Sequence, residues 1–265
     1  MAKTATKVSG YGGFMQEVTA AKARVLVVDY DGTIAPFAAH RLHAFPYPEV
    51  SELLRQIMSK CHTRLIVASG RAAHELIPLL GMIPPPEIWG THGAERVHAD
   101  GRYEEIEVTQ DALEVLLKSE TRLEAAGLGH LLEVKSAAVA VHWRGLKPSE
   151  LLHARSKAYR ILEPLSGRFG LVLAEFEEGV EIRLHAANKG TALQGLLTQL
   201  DPDVPVAYVG DDITDEDAFR VLNDRGLTVL VNAKPRFTAA QVILKPPQEL
   251  VAFLTTWIKA CGVKA

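Results

Sequence analysis

A chain of 265 residues, 48% of them apolar, has material for a sizeable core in one large or two ordinary domains. Its net charge of -3, with no long basic run, excludes the electrostatic footprint of a nucleic-acid or membrane-surface protein. No stretch approaches a membrane span, and the residues through Phe14 are small and polar with no apolar leader region. Cys61 and Cys261 lie in apolar-periodic segments without a metal-type partner. They read as buried thiols of a reducing compartment, so a soluble cytoplasmic protein is expected, with no nucleic-acid or membrane partner.

In chain order, residues 1–23 predict a loose arm leading to a short helix. Val25-Leu26-Val27-Val28 is a strand buried on both faces, ending in Asp29-Tyr30-Asp31-Gly32-Thr33. A connection rich in Ala, His and Pro runs from Ala35 to Pro48. Pro48-Glu49 opens a helix with apolar positions Val50, Leu53, Leu54, Ile57 and Met58. Arg64–Ala68 is a second buried strand, closed by Ser69-Gly70-Arg71. A helix over Ala72–Leu80, a triple-proline linker and a short strand Ile88–Gly90 follow, then Thr91-His92-Gly93-Ala94-Glu95. To this point the pattern is β-α-β-α-β, the mark of a doubly wound parallel sheet.

The pattern then changes. Alternating segments at Val97–Gly101, Leu132–Val134, Ala137–Trp143, Leu171–Ala174 and Val180–Leu184, with helices near Asp111–Ala125 and Ser149–Leu165, predict a small α+β unit with an antiparallel sheet. Doubly wound units resume with helix Gly190–Gln199, strand Val206–Val209, helix Asp215–Asn223, strand Leu227–Val231 and a last helix over Pro247–Ala260. The expected fold class is therefore α/β: a Rossmann-like core over 1–95 and 185–265 with an inserted α+β cap over 96–184.

Four stretches carry chemistry. Asp29 and Asp31 leave a buried strand at the sheet end where such folds bind ligands. One carboxylate there can be a covalent nucleophile and its neighbour a general acid and base. Ser69-Gly70-Arg71 offers a hydroxyl and a backbone that an anion can approach closely. In Asn188-Lys189-Gly190-Thr191 a lysine stands at a helix start, and both cation and helix end favour an anion. Gly210-Asp211-Asp212-Ile213-Thr214-Asp215-Glu216-Asp217 crowds five acids into eight positions, which is costly unless a cation is bound. Taken alone, Ser69–Arg71 reads better as a capped turn and Asn188–Thr191 as a solvated lysine beside a helix cap. Together, carboxylates suited to Mg²⁺ beside anion-binding Thr, Ser and Lys describe a phosphoryl-transfer site.

These four stretches resemble the four motifs of the haloacid-dehalogenase-like (HAD) phosphohydrolase superfamily. Asp29–Pro36, Ser69–Arg71, His92–Glu95, Lys135 with His142-Trp143-Arg144, Glu181-Ile182-Arg183 and Gly210–Phe219 together look like the trehalose-6-phosphate phosphatase family. The resemblance spans nearly the whole chain after the arm. It departs at Trp143, where the family usually has Tyr, and at Leu184, where Pro is common. It implies a C2-type cap, an aspartyl-phosphate on Asp29, Asp31 as acid and base, Thr33 and Ser69 on the phosphoryl oxygens, and Lys189 neutralising charge between nucleophile and phosphate. It also implies Mg²⁺ on Asp29, the carbonyl of Asp31 and Asp211, with Asp212 or Asp215 completing or orienting that shell. Arg71, Lys135, His142, Arg144 and Glu181 are the implied contacts to a small phosphosugar substrate, handled by a monomer. Rival readings are a mannosyl-3-phosphoglycerate phosphatase or broad phosphosugar hydrolase, a phosphosugar mutase, and a non-catalytic sugar-phosphate sensor. His40, His43, His62, His98, His153 and His185 have no ligand spacing and are left as surface or loop residues.

Overall fold

The computed structural model describes residues 10–38, 40–176, 179–234 and 236–263; of the arm and short helix expected over 1–23, residues 1–9 lie outside them. The regular elements, in chain order, are α1 (Gly10–Ala20), β1 (Arg24–Asp29), α2 (Pro48–Lys60), β2 (Thr63–Ala68), α3 (Ala73–Leu80), β3 (Glu87–Gly90), β4 (Glu95–Val97), β5 (Tyr103–Glu105), α4 (Gln110–Ala125), β6 (Leu132–Lys135), β7 (Ala138–His142), α5 (Pro148–Leu162), β8 (Leu171–Phe176), β9 (Gly179–Leu184), α6 (Lys189–Leu197), β10 (Val206–Gly210), α7 (Glu216–Leu222), β11 (Leu227–Val231), β12 (Val242–Leu244) and α8 (Gln248–Ala260). One compact unit runs to Glu104 and resumes at Lys189; the second holds Glu105–Asn188.

The larger unit is built on an eight-stranded sheet, β12-β11-β10-β1-β2-β3-β4-β5, parallel from β12 to β3 and antiparallel from β3 to β4. Side chains alternate across it, as a strand's period of two requires. Leu26 and Val28 join a core with α1, α2, α3 and α8; Val25 and Val27 join a second core with α6, α7 and Tyr208. The chain moves outward from β1 through β2 to β3, then returns on the other side through β10, β11 and β12. The strand order therefore reverses between β1 and β10, and the carboxyl ends of strands at such a switch point are where an open α/β sheet binds ligands. Asp29 and Gly210 end these two strands.

The second unit is a four-stranded antiparallel sheet, β6-β7-β9-β8, with α4 and α5 packed on it. Thr109 caps α4 by accepting from the amide of Ala112, and Pro148 opens α5, where its missing N–H costs nothing.

The α/β architecture matches the expectation. Two details differ. The hairpin β4–β5 extends the large sheet, so the unit boundaries fall at 104/105 and 188/189 rather than at 95/96 and 184/185. A three-residue hairpin has the same alternation whichever sheet edge it joins. Strand β12, three residues beyond a loop, was too short to give a periodic signal. Cys261 is only partly buried, at the C-cap of α8, while Cys61 is buried as expected.

Candidate active site

Strand β1 delivers Asp29 buried, and the chain then turns sharply. Gly32 takes φ +77°, open mainly to glycine, and a Cβ there would stand 1.9 Å from Asp211 Oδ2. So the turn after β1 and the loop after β10 approach each other across a missing side chain. Thr33 is buried in this turn, its Oγ1 3.1 Å from Asp29 Oδ2 and 3.2 Å from Asp211 Oδ1. One hydroxyl proton can serve only one of those two acceptors.

Lys189 begins α6 and is buried at the site. Its ammonium donates to Asp29 Oδ1 and, at 2.8 Å, to Asp215 Oδ1. Asp215 is wholly buried. Its Oδ1 also accepts from the Tyr208 hydroxyl at 2.7 Å, and its Oδ2 accepts from the amides of Asp211 and Asp212 at 3.0 Å each. Gly210 has no side chain because a Cβ would lie 2.3 Å from the Asp215 carboxyl carbon.

Asp31 is partly exposed and Arg71 grips it with two parallel bonds, Nε to Oδ2 and Nη2 to Oδ1, both 2.6 Å. The Arg71 guanidinium also lies 5.7 Å from the Tyr30 ring centroid. Ser69 is buried and its Oγ accepts from the Arg71 amide at 3.1 Å. Asp212 caps the turn Ile213–Asp215, accepting from the Ile213 amide at 2.7 Å.

Burial dominates the electrostatics. It pushes the Asp29 carboxyl up to about 7 against the pull of Lys189, with Asp215 and Asp31 adding to the rise. It pushes Asp211 well up as well, reinforced by Asp29, Asp215 and Asp212. Burial alone would lower Lys189, but Asp215 and Asp29 more than offset it and the ammonium stays charged. Asp29, Asp211 and Asp215 each offer an oxygen within 4.8 Å of the others. Three buried acids against one ammonium leave negative charge in excess, and Thr33 has one proton for two carboxylates. Both features fit a hard, oxygen-liganded divalent cation.

All the core residues singled out from sequence thus converge: Asp29, Asp31, Thr33, Ser69, Arg71, Lys189, Asp211, Asp212 and Asp215. A profile of the trehalose-phosphatase family matches residues 27–244, a span that includes every one of them. The chain belongs to the trehalose-phosphatase family. Members of that family are phosphoric monoester hydrolases. Among relatives, the chain is 30% identical over 226 residues to a bifunctional trehalose-6-phosphate synthase/phosphatase of Thermoproteus tenax, covering 84% of this chain and 30% of that protein. It is 30% identical over 279 residues to a probable trehalose-phosphate phosphatase 3 of Oryza sativa subsp. japonica, covering 95% and 74%. In fold it is similar to the C-terminal domain of a C. albicans trehalose-6-phosphate phosphatase, with TM-score 0.76 and 19% identity over 99% of this chain and 100% of that one. The chain spans less than a third of the length of the Thermoproteus protein.

The remaining sequence-predicted residues of this trehalose-phosphatase family member lie in the second unit. Cross-strand register sets Glu133 opposite Ala140, Lys135 opposite Ala138, and Ala140 and Ala138 opposite Glu181 and Arg183. With small alanines between them, the long side chains meet on one face. The Lys135 ammonium lies 3.5 Å from Glu133 Oε2 and 3.7 Å from Glu181 Oε2; Arg183 Nε lies 3.1 Å from Glu181 Oε1; His142 Nε2 lies 2.7 Å from Glu133 Oε2. Glu181 is 1% exposed. Arg144 is exposed in the turn after β7.

Sequence reasoning passed over Glu133 and Arg183 as partners in this set, though each lies two residues from a residue it did name. It also missed Tyr208, whose polar tip in a doubly buried strand was a usable signal, and Arg236. Arg236 donates to the carbonyls of Asp211 (3.2 Å) and Asp212 (2.9 Å) and to Glu216 (2.5 Å), holding the acidic loop from outside, with nothing in the sequence to announce it.

Proposed function

We propose that this protein hydrolyses trehalose 6-phosphate to trehalose and phosphate through an aspartyl-phosphate on Asp29. The observation that carries the reading is the buried Asp29–Lys189–Asp215 set at the end of β1, with Asp31 two residues away in the grip of Arg71.

In the first half-reaction Asp29 attacks phosphorus and the bond from phosphorus to the sugar oxygen breaks. Asp31 gives its proton to that oxygen as it leaves. In the second, Asp31 takes a proton from water as the water attacks phosphorus, and the bond to Asp29 breaks. Lys189 stays protonated and offsets charge between carboxylate and phosphoryl oxygens. Thr33 and Ser69 offer hydroxyls to the phosphoryl group. Arg71 holds Asp31 in one orientation before substrate enters and has donors for the substrate itself.

Asp29, the main-chain carbonyl of Asp31 and Asp211 would hold Mg²⁺; Asp215, already bonded on both oxygens, would orient that set. The cation supplies Lewis-acid neutralisation of the phosphoryl oxygens. On the other unit, Lys135, His142, Arg144 and Glu181, joined by Glu133 and Arg183, suit the hydroxyls of a neutral disaccharide, in a cap that selects substrate. On this reading the protein is a cytoplasmic monomer acting on a small phosphosugar; among the described residues no helix is long and apolar enough to cross a membrane.

The test is phosphate release from trehalose 6-phosphate, glucose 6-phosphate and mannosyl-3-phosphoglycerate, with Mg²⁺ and with EDTA. Mg²⁺-dependent preference for trehalose 6-phosphate is the expected result. Preference for another ester would overturn the substrate and leave the chemistry. Phosphate returned to sugar instead of water would mark a mutase, and no turnover of any ester would mark a sensor.

A further inference from the structure

A tyrosine in a strand buried on both faces must find a partner for its hydroxyl, because an unbonded hydroxyl there is costly. Tyr208, in β10, is fully buried with its ring edge-on to Phe219, centroids 5.8 Å apart at 84°. Its hydroxyl donates to Asp215 Oδ1 at 2.7 Å. A carboxylate has about four lone-pair sites. Asp215 fills them with the Tyr208 hydroxyl, the Lys189 ammonium and the amides of Asp211 and Asp212. Lys189 is shared between Asp215 and Asp29, so the place of the ammonium depends on how Asp215 Oδ1 is divided between its two donors.

We propose that Tyr208 is a positioning residue for phosphoryl transfer: its hydroxyl, through Asp215, keeps the Lys189 ammonium shared with Asp29. Without the hydroxyl, Asp215 Oδ1 keeps only the ammonium and draws it away from the nucleophile. The loss then falls on the chemical step and not on substrate capture. This rests on the phosphatase reading above.

The test compares Tyr208→Phe, which keeps the ring against Phe219, with Phe219→Leu, which loosens the same core and leaves the hydroxyl. Each is measured with the phosphomonoester the wild type turns over fastest, and by titration with beryllium fluoride in the presence of Mg²⁺. For Tyr208→Phe, kcat falls roughly tenfold or more, as for a lost bond to a charged group, with KM within about twofold. Beryllium fluoride binds roughly tenfold more weakly. Phe219→Leu lowers the melting temperature without a comparable fall in kcat. Should Tyr208→Phe not fold, Tyr208→Met offers a flexible apolar side chain to the same space, and the same fall is expected.

A folded Tyr208→Phe protein with wild-type kcat and beryllium fluoride affinity would overturn the proposal. So would an equal loss of kcat in Phe219→Leu, or a loss confined to KM. A wild type that releases no phosphate from any ester contradicts the phosphatase reading instead, and beryllium fluoride binding still reports on Tyr208.

Discussion

Two clusters of acids and cations, one buried and one half-buried, differ in their balance. At the ends of β1 and β10, Asp29, Asp211 and Asp215 face one ammonium, Lys189, while Asp31 is matched by Arg71. On the four-stranded sheet, Glu133 and Glu181 face Lys135, Arg183 and His142. The first cluster has an excess of negative charge and raised carboxyls at Asp29 and Asp211. The second needs no added ion. An unbalanced set of hard oxygen donors suits a divalent cation and an anionic phosphoryl group; a balanced set of donors and acceptors suits a neutral polyhydroxyl ligand.

The largest expected effect is on the unbalanced cluster. Asp29→Asn removes the nucleophile, so phosphate release should fall by roughly a thousandfold or more. A fall of less than about tenfold would make the two clusters equals. Next is Gly32→Ala, where a Cβ strained at φ +77° meets Asp211 Oδ2. A displacement near 1 Å at such a site costs roughly a hundredfold in kcat/KM. Steady-state assay of the folded variant checks it, and wild-type activity would show that the close approach is not needed.

On the balanced cluster the effect should be selective. Glu181→Gln keeps the shape and most of the packing between Lys135 and Arg183. It should lower kcat/KM for trehalose 6-phosphate roughly tenfold and leave p-nitrophenyl phosphate within about twofold. Equal losses on both substrates would mean the two clusters are not separable in function.

The smallest effect is on stability. The Asp29 carboxyl ionises near 3.8 when unfolded and near 7 in the folded, metal-free protein, so between those values the folded state holds the extra proton. The stability this contributes is complete below 3.8 and is lost as pH rises through about 7. Mg²⁺ should therefore raise the melting temperature more at about pH 8 than at about pH 5.5, where protons compete for the same oxygens. Differential scanning fluorimetry with Mg²⁺ and with EDTA reads this directly; an equal shift at both values would contradict the charge excess.

The two clusters were also unequally legible in the sequence. Asp29, Asp31, Lys189 and Asp211 stand in short motifs at strand ends and helix starts, where residue order fixes neighbourhood. Lys135, His142 and Glu181 are scattered along strand faces, and only cross-strand register brings them to Glu133 and Arg183. The grip of Arg71 on Asp31 and the division of labour between Asp212 and Asp215 depend on side-chain direction, which spacing does not give. Asp212 caps a turn, whereas Asp215 receives four donors. Tyr208 carried a signal that is easily passed over: in a strand of buried residues it reads as one more large core side chain, and only its polar tip marks it out.

The most direct measurement is to quench the enzyme in acid during turnover, reduce any acyl phosphate with borodeuteride, and map the modified peptide by mass spectrometry. A substrate- and Mg²⁺-dependent mass change on the peptide at Asp29 is the predicted result. Turnover with no modification there, or modification at Asp31 or Asp211 instead, would contradict the assignment of Asp29 as the nucleophile.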